Sequence, residues 1–417
     1  MEPLSLSVTS WDFVDEFVDL YRGWIIPEVY LHWAALSVLA AAVEDRVCLR
    51  MVDFSPLYPN LWVFLVGDSG TGKDSAIGAA QQLLPKDALW CVDGKVTISG
   101  LYDYMERQQR ASQRLGAPVY LVSSDVVEQL PIGAEAMDFM SRVLPLYGGR
   151  DRELIDITRT SGTKTVNRPL LNWIAGCTRS WFPRAVHPDV FTAGFAGRTV
   201  FVCADPVYEA YEVITPPRKP DHDARMERLR RHCRDLLTIE GEFVFTDRGE
   251  IFYQQWLAHQ VERLRTTQLA DVERNVLTRA RTTVVKLAMV YALSRWRPGK
   301  PLVVDDEAIV RADRAFRDVV VKNIVTVATY AYQSPETQAR VVVEEIIRLN
   351  SPISRTKLMR YAMERGVKTS RHLTEILEVL LEAQRIRMEQ KTTGGRPMTL
   401  YTWIVPTVRL PHTVGNE

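Results

Sequence analysis

The run LWVFLVGDSGTGKDS, Leu61 to Ser75, passes from apolar residues straight into a glycine-spaced loop that ends in a lysine. The apolar part is short, β-branched in places and uninterrupted, which suits a strand buried on both faces. Gly67, Gly70 and Gly72 let the backbone curl so that its N–H groups face inward with no Cβ in the way. An Ala-rich helix follows, and its N-terminus adds about half a positive charge at the same point. This is a GxxxxGK loop between strand and helix, and it predicts a site for a nucleotide's phosphates. The candidate binding residues are Gly67, Asp68, Ser69, Gly70, Thr71, Gly72, Lys73, Asp74 and Ser75, with Lys73 reaching the β and γ phosphates. Asp74 stands where a hydroxyl normally binds Mg²⁺. A carboxylate so close to phosphate is repulsive unless the metal lies between them, so either Asp74 binds Mg²⁺ directly or Ser75 takes that place.

Outward from this loop, four more short apolar runs alternate with helical patterns: Leu89–Val92, Val119–Val122, Leu170–Ala175 and Thr199–Cys203. Five strands separated by helices predict an α/β core with a parallel sheet over residues 56–214. Before it, residues 1–55 read as N-terminal helices, with Trp11, Val14, Phe17, Val18 and Tyr21 at three- and four-residue steps. Three prolines in Thr215–Asp223 mark a linker, and residues 224–332 read as a helical lid domain. Residues 335–406 have a rhythm of their own, three helices and then a strand pair around Gly394-Gly395-Arg396-Pro397, which is the pattern of a winged helix.

The chain's 417 residues leave room for several domains, each with its own core. With 46% hydrophobic and 25% charged residues the composition is globular, which excludes a disordered or collagen-like chain. A formal charge of +1 excludes a polybasic nucleic-acid coat, so any DNA binding must come from local patches. Cys48, Cys91, Cys177, Cys203 and Cys233 are scattered without CxxC spacing and read as reduced thiols rather than disulfides or a zinc site. The N-terminus lacks a signal-peptide pattern, and Trp33 to Val43 is too short to span a membrane, so the expectation is a soluble cytoplasmic protein without membrane partners.

Further site residues follow from position. Val119–Ser124 is an apolar strand that runs to Asp125, where a metal-positioning acid is expected. Val126 follows it, and Glu128, three residues on, is the candidate catalytic base, with a solvated helix glutamate as the alternative. The strand Leu170–Gly176 ends at Cys177-Thr178. Thr178 there would sit between the phosphate loop and Asp125 as a γ-phosphate sensor, or serve only as a strand cap. Arg198, just before the fifth strand, points away from its own nucleotide; in a ring it would enter the neighbour's site as an arginine finger. Residues Glu153–Arg168 alternate on both sides of Ser161-Gly162, a hairpin pattern. Arg159 and Lys164 flank its tip and suit contacts to DNA phosphates.

LYPNLWVFLVGDSGTGKDS, the strand ending at Asp125, NRPLLNWIAGCT and GFAGRTVFV, in that order, resemble the AAA+ ATPases. More narrowly they resemble the superfamily-3-like replicative helicases of phages, prophages and plasmids. The similarity spans about residues 20–330, with a winged helix appended. It implies an α/β AAA+ phosphate-loop core, N-terminal helices as a collar, a helical lid, ATP and Mg²⁺ as ligands, and a homo-oligomeric ring, a hexamer. It also implies that the 153–168 hairpin projects into the ring's channel and grips single-stranded DNA, and that Arg279, at the head of a lid helix, reaches the γ-phosphate as a second sensor. The chain departs from the family at two places: Asp74 replaces the Ser/Thr after the loop lysine, and no glutamate follows Asp125.

The resulting expectation is an ATP-driven DNA helicase or translocase, an ATP hydrolase acting on single-stranded or forked DNA in the replication of a mobile element. Two other classes compete. An ATP-binding initiator or loader with little hydrolysis fits the missing Asp-Glu pair, and a small-molecule kinase fits GKDS alone. No primase or polymerase motif is present, so such an activity would belong to a partner. Between residues 335 and 405 twelve basic residues face eight acidic ones, a local excess that favours nucleic acid.

Overall fold

The first helix begins where a side chain can cap it. Asp12 accepts hydrogen bonds from Val14 N and Asp15 N and opens α1 (Phe13–Leu20). In this computed structural model, which describes residues 11–51, 55–85, 89–126, 134–148, 153–158, 162–179, 194–207, 219–267, 271–331, 335–364, 367, 369–391 and 398–404, the chain then forms α2 (Glu28–Val43), β1 (Val47–Arg50) and β2 (Pro56–Leu57). α2 is apolar all round and is accordingly buried all round from Tyr30 to Val43, apart from His32. No described helix is long and apolar enough to cross a membrane.

The core elements follow: β3 (Trp62–Val66), α3 (Lys73–Gln81), β4 (Cys91–Asp93), α4 (Ile98–Ser112), β5 (Ala117–Ser123), α5 (Ala134–Val143), the hairpin β6 (Glu153–Thr158) and β7 (Gly162–Asn167), β8 (Pro169–Cys177) and β9 (Thr199–Cys203). The five expected strands form one sheet in the order β4-β5-β8-β3-β9, and every pair in it is parallel. β3 and β8 are buried from end to end because each is flanked by strands on both sides. The fold is therefore α/β, built on a five-stranded parallel sheet.

After β9 come α6 (His222–Leu236), β10 (Gly241–Phe245), α7 (Asp247–Thr266), α8 (Asp271–Thr278), α9 (Ala280–Arg295), β11 (Val303–Val304), α10 (Asp306–Ala315), a π turn over Phe316–Val321 and α11 (Lys322–Ala331). This segment is not wholly helical as expected. β10 pairs in parallel with both β1 and β11, which makes a second sheet of order β11-β10-β1-β2. Its strands are two to five residues long, too short for alternation to stand out against the helices around them. The N-terminal helices do not pack apart from the rest of the first unit. Phe13, Phe17 and the α2 residues share one continuous core with the sheet and with α9 to α11.

The chain divides between Ala331 and Tyr332 into two compact units. The second contains α12 (Pro335–Leu349), β12 (Ile353–Ser354), α13 (Arg355–Glu364), α14 (Ser370–Glu382) and the hairpin β13 (Ile386–Lys391) and β14 (Met398–Trp403), with β12 paired to β14. Three helices and a small antiparallel sheet thus enclose their own core, centred on Val343, Ile346, Ile347, Leu358, Leu373 and Tyr401. The turn at 392–397, expected at the hairpin tip, lies outside the described residues.

Candidate functional site

β3 brings Gly67 to the carboxyl end of the sheet, where neighbours on both sides pin it. Gly67 N donates to Cys177 O at 3.1 Å, and Ala204 N donates to Val66 O at 3.2 Å. From α2, Tyr30 donates its hydroxyl to Val66 O at 2.7 Å. Gly72 closes the loop with φ +78°, a left-handed conformation that favours glycine, and a methyl group there would lie 2.5 Å from Ile25 O. α3 starts at the next residue, so its unpaired N–H groups face the loop.

Lys73 lies in the curl, only 8% exposed. Its ammonium donates to Gly67 O at 2.9 Å, Asp68 O at 2.7 Å and Thr71 Oγ1 at 3.2 Å. Burial lowers its pKa, against the opposing charges of Asp74, Cys177, Asp68 and Asp125. A cleft of about 760 Å³ opens over this group. Its walls include loop residues Ser69 to Ser75, Asp125 and Thr178. The strand order explains the meeting: β8 runs between β3 and β5, so Thr178 falls between Lys73 and Asp125, as its place in the sequence implied. A cleft of this size suits a nucleotide-sized ligand.

The far wall was not legible in the sequence. Tyr21, Trp24, Ile25 and Ile26, from the end of α1 onward, line the cleft together with His222 at the head of α6. Tyr21 and Trp24 meet edge to face with ring centroids 5.1 Å apart, which offers an aromatic surface across the cleft from the glycine loop. Their spacing reads equally well as the buried stripe of an amphipathic helix. Lys219 and Arg225 hold α6 to α1 by binding the Asp19 carboxylate at 2.6 and 2.8 Å, and their hydrogen bonds pull its pKa down to about 2. Arg179, also missed, follows Thr178 and reaches across the end of β3. It bonds Ala204 O at 3.2 Å and the Asp205 carboxylate, with Asp68 3.8 Å away.

Gly176 controls how closely the acids approach. A methyl group there would collide with Ser124 O and would lie 3.6 Å from Asp74 Oδ1. Bare backbone at Gly176 therefore lets the start of α3 and the end of β5 converge, carrying Asp74 and Asp125. Two carboxylates and the Ser75 hydroxyl form a hard oxygen set that suits Mg²⁺. Among the described residues no group of three or more His, Cys, Asp and Glu side chains gathers as a closed cage. A metal held by these groups would need phosphate and water to complete its shell.

Arg198 stands elsewhere. Thr199, the next residue, pairs with Trp62 at the start of β3, whereas the phosphate loop follows Val66 at its end. At ~3.3 Å per residue, four steps along the strand separate the two levels by about 13 Å. Arg198 donates to Gly194 O at 2.8 Å and lies over the Tyr147 ring at 5.9 Å. Arg279, expected at its own γ-phosphate, is also not part of the cleft wall and sits beside Arg198. A methyl group on Gly194 would lie 2.7 Å from Arg198 Nη1 and 3.1 Å from Arg279 Nη2. Arg198 Nη1 and Arg279 Nη2 thus stand within about 6 Å of each other. The physical reason is the α8–α9 junction, which carries Arg279 to the Gly194–Gly197 turn instead of over the loop.

Lys164 also departs from expectation. It is 7% exposed, donates to Ser99 O at 3.0 Å and lies 3.7 Å from Asp103 Oδ1, so its ammonium is engaged by α4. The hairpin lies along that helix: Thr165 N donates to Glu106 Oε1 and Asn167 N to Gln109 Oε1, both at 3.1 Å. Lys164 is therefore held against α4. Arg159 and Glu128 lie outside the described residues. The basic run Arg225–Arg234 is largely tied to acids, with Arg225 and Arg228 on Glu16 and Arg234 on Glu227.

In the second unit the basic side chains behind the local excess of positive charge divide. Arg355 turns inward to Thr374 Oγ1 at 2.7 Å and Tyr401 Oη at 3.2 Å, and Arg371 pairs with Glu375 at 3.1 Å. Lys357, Arg360 and Lys391 are exposed. Arg365, Lys368 and Arg396 lie outside the described residues. No protein-family model matches this sequence, and no curated protein matches it.

Proposed function

We propose that the chain is an ATP-driven, ring-forming motor on DNA, a helicase or translocase that serves replication of a phage or other mobile element. The observation that carries the nucleotide part is the meeting of Lys73, Asp74, Asp125 and Thr178 around one cleft at the end of β3. In this reading the loop amides and Lys73 hold the phosphates, and Thr178 senses the γ-phosphate. Asp74, Ser75 and Asp125 hold Mg²⁺, which when bound neutralises charge on the phosphates. Tyr21 and Trp24 offer the base an aromatic wall. Arg198, distant from its own cleft, reaches the nucleotide of the next copy, so that sites complete themselves only between subunits. A hexamer is the proposed ring.

The DNA part is supported by the ordered motifs that resemble superfamily-3-like helicases and by Lys357, Arg360 and Lys391 on the second unit, read as a winged helix. Purified protein with ATP should unwind a forked duplex, single-stranded DNA should stimulate its ATPase, and Lys73→Ala should abolish both. Failure of the wild type to unwind any fork, with ATP bound, defeats the motor reading. A second reading, an ATP-bound initiator or loader with slow turnover, is favoured by the engagement of Lys164 with α4 and by Val126 in place of an acid. It predicts ATP binding without stimulation by DNA.

A further inference from the structure

α3 carries Lys73 at its head, and a second cleft of about 720 Å³ opens against its tail. Gly78 and Gln82 line both clefts, so this helix is a partition that the two share. A glycine inside a helix is destabilising relative to alanine, and close packing is its usual reason. No such packing is present at Gly78, where a methyl group would meet no atom within 4 Å outside its own helix. The bare backbone keeps space open in the shared wall.

The second cleft joins an apolar lining to a guanidinium. Leu83, Leu84, Pro85 and Leu89 line it with Tyr120 of β5, and all five are buried or half-buried. Arg230 and Arg234 enter the wall from α6. Arg234 is tied to Glu227 at 2.5 Å, and Asp93 of β4, also in the wall, accepts from Gln81 Nε2 at 3.3 Å. Arg230 is half-buried and makes no ion pair among the described residues; its Nε donates to Gln82 O at 3.1 Å. That bond fixes the side chain and leaves the four N–H groups of its two terminal nitrogens as a planar fork beside the leucines. A cleft of this volume takes a small molecule, and its lining suits one with the same two parts, an apolar body and an acidic group.

We propose that the second cleft binds a small amphipathic anion, with a flat apolar body against Leu83, Leu84 and Leu89 and one acidic group on Arg230. The site is separate from the cleft over Lys73, and it stands whether or not that cleft turns nucleotide over.

The probe is 8-anilinonaphthalene-1-sulfonate, titrated by fluorescence into the full-length protein. N-phenyl-1-naphthylamine, the same ring system without the sulfonate, is titrated beside it. Both titrations are run with and without a saturating ATP analogue and Mg²⁺. One sulfonate should bind per chain, roughly tenfold more tightly than the neutral amine, the scale of a hydrogen bond to a charged group. Arg230→Gln keeps a donor for Gln82 O and should erase that preference, while Arg230→Lys should keep part of it. Leu84→Glu should weaken the sulfonate roughly tenfold, through like charge and lost apolar area. Urea unfolding checks that each variant is folded. Equal affinity of the wild type for the two probes overturns the proposal. So does a preference that survives Arg230→Gln, or displacement of the sulfonate by the ATP analogue.

Discussion

Lys73 and Arg198 stand at opposite ends of one pair of parallel strands. Lys73 follows the loop after Val66, and Arg198 immediately precedes Thr199, which pairs with Trp62. One subunit therefore carries the glycine loop at one end of the sheet and a guanidinium at the other, the placement that the proposed head-to-tail ring requires. Arg198→Ala should leave nucleotide affinity within about twofold and cut hydrolysis roughly a thousandfold. Equilibrium titration with an ATP analogue beside steady-state turnover separates the two quantities. A variant that loses affinity and keeps its rate would place Arg198 in its own site.

Gly176→Ala puts a methyl group against Ser124 O and near Asp74. The end of β5 must move, and overpacking of this kind costs about 1–3 kcal/mol. Nucleotide affinity in the presence of Mg²⁺ should drop about tenfold or more, while affinity measured in EDTA changes little, because the displaced groups are the acids proposed to hold the metal. An equal loss under both conditions would mean that the loop itself was disturbed.

Lys164→Ala removes an ammonium held by Ser99 O and Asp103. Its effect should be on stability, a loss of about 1–2 kcal/mol in urea unfolding. Binding of single-stranded DNA should be unchanged. A tenfold weaker DNA affinity with unaltered stability would restore the gripping role expected from the sequence.

Two histidines set an acid limit. Burial holds His32, at Tyr291 Oη, and His232, at Leu293 O, down to about 4. Unfolded histidine titrates near 6.5, so between about pH 6.5 and 4 the unfolded chain binds more protons and stability falls as pH drops. At pH 5 each contributes a loss of about 2 kcal/mol relative to neutral pH. His232→Gln, which can still donate to Leu293 O, should flatten this decline in chemical unfolding at pH 7 and pH 5. An unaltered slope would contradict the assignment.

Much of the glycine-loop end of the cleft was legible because its sequence signal is local. The strand, the glycines and Lys73 are contiguous, and the β-branched runs between breakers gave all five strands of the sheet. What stayed hidden depends on distant packing. Tyr21 and Trp24 have the spacing of core residues, and only the fold turns them toward the cleft. Gly176 carries no motif, and its role arises because β8 lies between β3 and β5. Lys164 on a polar hairpin looks free until α4 is placed beneath it, and Arg279 heads a helix whose direction the sequence did not fix.

The most direct test of the shared site is the ATPase rate per chain measured across protein concentration, with molecular mass followed in the same samples by mass photometry. The rate per chain should be near zero in dilute monomer, rise as larger assemblies form and level off once assembly is complete. Monomers that hydrolyse ATP at the full plateau rate would contradict it.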